Sequence, residues 1–153
     1  MNCLEMEIAI FREFNPRRNL IVPNVSWGLL LHEIDILVLR PSGVAIEIEI
    51  KVSKSDLIAD KSKDHAHNSD KISMLYFAVP SNLLVYSEHI PSHAGIIEVR
   101  EDGVCRYYRN AEEKSKYRFT QEERFQLARL GTMRISSLKN KIFQLKEQAR
   151  GRL

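Results

Sequence analysis

The sequence predicts an α/β sandwich: a mixed central sheet flanked by helices, followed by a helical C-terminal extension. Three observations carry this. Residues 32–52 alternate apolar and polar on both sides of Pro41-Ser42-Gly43, the pattern of a two-stranded hairpin around a tight turn. Residues 72–79 are a nearly unbroken apolar run stopped by Pro80, as in a strand buried on both faces. Helical periodicity brackets these strands, near the N-terminus and beyond Thr120. A chain of 153 residues, 44% of them hydrophobic, is about one domain with a substantial core.

Taken in order, residues 3–14 read as a short amphipathic helix with Leu4, Glu7, Ile8, Phe11 and Phe14 on one side. Asn15-Pro16-Arg17-Arg18-Asn19 ends it, and a first strand spans 20–30 with Gly28 as a bend. The hairpin supplies strands two and three. Ser53 or Ser55 caps a helix running to about residue 66, since Ser53-Lys54-Ser55-Asp56 resembles a capping box. The run at 72–79 is the fourth strand, and 81–92 is an irregular connection. Residues 95–100 and 104–109 are short strands around Glu101-Asp102-Gly103, a strong hairpin signal. A charged linker at 110–117 leads to Thr120-Gln121-Glu122-Glu123, a capping box that opens a long helix which Gly131 breaks or kinks. The order is thus αβββαβ, a β extension, and a basic helical segment at 118–153 that packs on the 1–117 domain or on a partner.

Charge is unevenly spread. Residues 120–153 carry eight Lys/Arg and three Glu, a net of +5, and the remaining 119 residues sum to −2. A carboxylate-rich body with a basic tail suits a polyanion partner. Cys3 and Cys105 form no CxxC, which excludes a zinc framework, though a single disulfide stays open. No apolar run reaches 18 residues, and no signal-peptide pattern opens the chain. A cytoplasmic protein with reduced thiols and no membrane partner is therefore expected.

The hairpin concentrates the chemistry. Centred near Ser42, it sets Asp35 across from Glu49 and Glu33 across from Lys51. Side chains alternate along a strand, so Glu33, Asp35, Glu47, Glu49 and Lys51 share one face, while Ile34, Ile36, Val38, Ile46, Ile48 and Ile50 form the core face. Two carboxylates and a lysine on one short hairpin suit a hard cation assisted by an ammonium. The plainer alternative is a solvated face with a cross-strand salt bridge. Glu47 lies about 7 Å further along and is expected to pair with a surface cation.

Asp35 followed by Glu49-Ile50-Lys51 resembles the PD-(D/E)xK, or restriction-endonuclease-like, superfamily, although no proline precedes Asp35. Within it, Glu49 through Lys61, then Asp70-Lys71, Tyr76-Phe77-Ala78-Val79-Pro80 and His93-Ala94-Gly95-Ile96-Ile97-Glu98, is similar to the MmcB-type DNA-repair proteins. The resemblance covers roughly residues 20–110 and implies a restriction-endonuclease-like αβββαβ core, a metal-dependent phosphodiesterase ancestry and DNA as partner. Some members of the superfamily keep the fold without the activity, so a catalytically inactive DNA-binding module is the alternative.

On that reading Asp35 and Glu49 are Mg²⁺ or Mn²⁺ ligands, joined by the Ile50 carbonyl. Lys51 orients or deprotonates the attacking water and stabilises the transition state. The superfamily often adds an acid from the first helix. Glu5 and Glu7 qualify, and Glu7 is preferred because an acid on a core-facing arc is costly unless paired or ligating. His65 and His67, two residues apart on a helix end, read as solvated rather than ligating. Lys54 and Lys61 are candidate phosphate contacts or helix surface. In the tail, Phe125, Leu127, Leu130, Met133, Leu138, Ile142 and Leu145 form an apolar stripe. Arg124, Arg129, Arg134, Lys139, Lys141, Lys146, Arg150 and Arg152 surround it. Packing on the domain, a homodimer through this helix, and a phosphate-contacting arm using Arg129, Arg134 and Lys139 are all compatible with that pattern.

Overall fold

The computed structural model describes residues 1–26, 29, 31–60 and 69–151. The expectations for Gly28, Lys61, His65, His67, Arg152 and the end of the second helix fall outside the described residues. The elements are α1 (Cys3–Glu13), β1 (Leu20–Val25), β2 (Ile34–Leu39), β3 (Ala45–Ile50), α2 (Lys54–Asp60), β4 (Met74–Pro80), a 3₁₀ segment (Ser81–His89), β5 (Gly95–Val99), β6 (Cys105–Arg109) and α3 (Gln121–Arg150). The strands form one six-stranded sheet in sequence order. β1, β2 and β3 run antiparallel, β3, β4 and β5 parallel, and β6 antiparallel to β5. The mixed sheet arises because β3 to β4 and β4 to β5 are crossovers, through α2 and the 3₁₀ segment, whereas the other links are tight.

α1 covers one face. Met6, Ala9, Ile10 and Phe14 pack on Ile36, Val38, Ile46, Ile48 and Ile50. The opposite face carries two cores. Phe119, Leu127 and Leu130 of the C-terminal segment cover Val22, Leu37, Leu39 and Ala45, and Leu57 of α2 joins Leu75, Phe77 and Val79. β4 is buried on both faces, with Tyr76 and Ala78 toward α1 and its odd-numbered residues toward α2.

Four expectations are corrected. The buried arc of α1 is Met6, Ala9, Ile10 and Phe14, and Leu4 and Ile8 are exposed. This helix is apolar on nearly every side, so periodicity does not fix its phase. Strand β1 ends at Val25; within it Asn24 takes φ +52°, and Val25 packs in the same core as Val22. Ile34 packs with Leu37 and Leu39 and not with Ile36, so strict alternation breaks at Asp35. Gly131 neither breaks nor kinks α3, which runs uninterrupted past Val22; a Cβ on Gly131 would sit 3.4 Å from a Val22 methyl. The connection after β4 is also more regular than expected, a 3₁₀ segment broken only at Tyr86. Among the described residues no helix is long and apolar enough to cross a membrane.

Candidate acidic site on the β2–β3 hairpin

The hairpin register runs Ile36 to Ile48, Leu37 to Glu47, Val38 to Ile46 and Leu39 to Ala45. The turn is closed by the Gly43 amide donating to the Arg40 carbonyl at 2.9 Å, with Gly43 at φ +90°. Continued one step, that register sets Asp35 against Glu49. A direct bond marks the place: the Ile50 amide donates to Asp35 Oδ2 at 2.8 Å.

Glu49 and Lys51 are each only 6% exposed, and Lys51 Nζ lies 3.3 Å from Glu49 Oε2. The backbone of Lys51 is fixed by donation to the Ala78 carbonyl of β4 at 3.0 Å. Burial raises the Asp35 carboxyl above its ordinary range, and the Ile50 amide and Lys51 oppose that rise; Asp56 and Glu33 add to it. Glu7 of α1, partly buried, is raised by burial and then by the charge of Asp35. The Cys3 thiol is raised by burial and by Asp35, Glu7 and Asp56. Asp35 therefore feels α1 on one side of the sheet and α2 on the other. The carboxyl groups of Asp35, Glu7 and Asp56 thus act on one another, or on Cys3, close to the buried Lys51.

Sequence reasoning missed Asp56 and Cys3. Asp56 reads as helix surface, and it is exposed, with its amide capped by Ser53 Oγ at 3.2 Å. Only the return of α2 over the hairpin end brings its charge to Asp35. Glu5 is committed elsewhere, closing a capping box with Asn2. Glu47 is fully buried and bonded at 2.7 Å to His32 Nε2, and its charge also acts on Lys114, an exposed cation. Ile50 contributes its amide to Asp35 and its side chain to the α1 core.

Among the cationic candidates, Lys54 lies over the Tyr86 ring at 4.4 Å from its centroid. Arg134 donates to the Asn24 carbonyl and reaches Ser26 Oγ at 3.4 Å, tethering α3 to the end of β1. Arg129 and Lys139 are exposed. A groove of about 370 Å³ runs from Glu7 past Ile8, Phe11 and Pro23 to Leu138 of α3.

No family model and no curated protein matches this chain. Among solved structures it is similar to the SPO1766 protein of unknown function from Silicibacter pomeroyi. The TM-score is 0.65 with 18% identity, over 92% of this chain and 90% of that one. At that identity the likeness is one of fold: a six-stranded mixed sheet flanked by helices, with a C-terminal helix.

Proposed function

We propose that this protein is a metal-dependent DNA nuclease, or a nuclease-like DNA-repair or DNA-processing protein, acting on phosphodiester bonds through Asp35, Glu49 and Lys51. The observation that supports this best is the buried Glu49–Lys51 contact at 3.3 Å beside an Asp35 that accepts from the Ile50 amide. This spacing resembles the D…ExK pattern of the PD-(D/E)xK superfamily.

The donor set suits a hard cation. Among the described residues no group of three or more His, Cys, Asp or Glu is gathered to hold an ion. Mg²⁺ needs no such cage, being commonly held by one or two carboxylates with water and substrate phosphate oxygens. Asp35 and Glu49 would be those carboxylates, with the Ile50 carbonyl as a further oxygen. When bound, Mg²⁺ or Mn²⁺ supplies Lewis acidity and an activated water. Lys51 keeps a positive charge at the carboxylate pair, where it stabilises charge developing on a phosphate. Glu7 adds an acid from the α1 side, and exposed Arg129 is open to a phosphate further along the duplex.

The test uses single-stranded, duplex and branched DNA with Mg²⁺ or Mn²⁺. Asp35→Asn and Lys51→Gln, checked for native folding by circular dichroism, are expected to lower cleavage by about 100-fold or more. Mn²⁺ is expected to raise the melting temperature of the native chain and not of Asp35→Asn. Undiminished cleavage in either variant overturns the assignment. A second reading, an inactive DNA-binding module of the same fold, is favoured by one feature: the Lys51 charge already lies against a buried carboxylate. DNA binding without product and without a cation-dependent melting shift would select it.

A further inference from the structure

The apolar face of α3 outruns the sheet that it covers. Leu127 and Leu130 are buried against β1, and Gly131 passes close to Val22. From residue 135 onward every described residue of the helix is exposed. Yet Ile135, Leu138, Ile142 and Leu145 are large aliphatics between 51% and 57% exposed. Their spacing of three, four and three residues is a heptad seam with Ile at a and Leu at d, the combination that favours two-stranded coiled coils. From Ile135 to Leu145 the seam runs about 15 Å along the helix. It is continuous with the groove against α1, because Leu138 lines both.

Flanking charge selects the occupant. The e and g positions beside this seam are Arg134, Lys139, Lys141, Lys146 and Gln148, and the only acid in residues 134–150 is Glu147 at an outer f position, where it holds Arg150 at 3.0 Å. A second copy laid parallel would set Arg134 against Lys139 and Lys141 against Lys146. Laid antiparallel, it would set lysine against lysine. Like charges across a seam oppose pairing. A nucleic acid would satisfy the lysines and leave four aliphatic side chains in water. We infer that the seam of α3 docks an amphipathic helix of a different protein, one with aliphatic a and d residues and glutamates or aspartates at e and g. This inference does not rest on the nuclease reading.

The test probes the full chain with a synthetic three-heptad peptide, Ile at a, Leu at d and Glu at e and g, and with a twin carrying Lys at e and g. Fluorescence anisotropy is expected to show the acidic peptide binding at least 10-fold more tightly. Binding should weaken with salt and fall at least 10-fold in Ile142→Lys and Leu145→Lys, whose exposed positions leave the fold unchanged by circular dichroism. Equal binding of the twins, or no binding of either, overturns the proposal. So does a dimer in sedimentation that Ile142→Lys dissolves, which assigns the seam to a second copy. Capture by anionic vesicles or duplex DNA that Ile142→Lys abolishes, with no acidic-peptide binding, overturns it as well.

Discussion

Asp35 is the residue where fold and proposed chemistry pull against each other. Its carboxyl is raised by burial and by Asp56 and Glu33, despite the Ile50 amide and Lys51. An acid whose pKa rises on folding binds its proton more tightly in the native state. Its contribution is therefore most favourable below the ordinary value of 3.8 and is lost as pH rises through the native value. Asparagine keeps an oxygen for the Ile50 amide and carries no charge. Asp35→Asn is accordingly expected to melt higher than the native chain at pH 7, with the gap closing near pH 3. Thermal melts across that range check it; a variant that melts lower at pH 7 would show that attraction to Lys51 outweighs burial. The hairpin register, from Ile36 against Ile48 to Leu39 against Ala45, was legible in the sequence because the turn residues and the alternation beyond Asp35 agree on one centre. Asp56 was not, because its meeting with Asp35 depends on how α2 returns across the hairpin, and no local pattern encodes that.

At the scale of elements, Gly131 shows where local rules mislead. A glycine within a helical pattern reads as a break, yet its thirty-residue helix is uninterrupted. Flanking residues Leu127 and Leu130 are held in the core, and that packing outweighs a propensity cost of about 1 kcal/mol. A Cβ there would meet Val22 at 3.4 Å, ordinary van der Waals contact. Gly131→Ala is therefore expected to stabilise the chain by about 0.5–1 kcal/mol in urea titration. A loss of stability would mean that Val22 cannot accommodate the methyl group. The same contrast explains α1 and β1. The boundaries of α1 followed from its flanking Asn-Pro signal, but its phase did not, since Leu4 and Ile8 are as apolar as Met6 and Ile10. In β1 the left-handed Asn24 lies one residue before the strand's end, and hydrophobic pattern carries no trace of that conformation.

For the whole molecule, α3 is two things in one helix. Its first half is part of the domain: Phe119, Leu127 and Leu130 are 3%, 0% and 9% exposed, and Glu123 both closes the capping box and holds Lys71 at 2.5 Å. Its second half touches solvent on all sides. Deleting a buried Phe costs about 3–5 kcal/mol and a buried Leu about 2–5. Losing all three together approaches or exceeds the about 5–15 kcal/mol that holds a domain folded. A chain ending at Lys116 is thus expected to lack a cooperative melt. One ending at Ser136, which keeps the Arg134 tether to Asn24, is expected to melt within a few degrees of the full chain. Both are read by circular dichroism. A cooperative transition near the native temperature in the shorter chain would make the whole of α3 an appendage. Near-native melting of the longer chain alone would leave residues 137–150 without a role in the stability of the domain, as a segment whose exposed aliphatic seam is covered only by a partner requires.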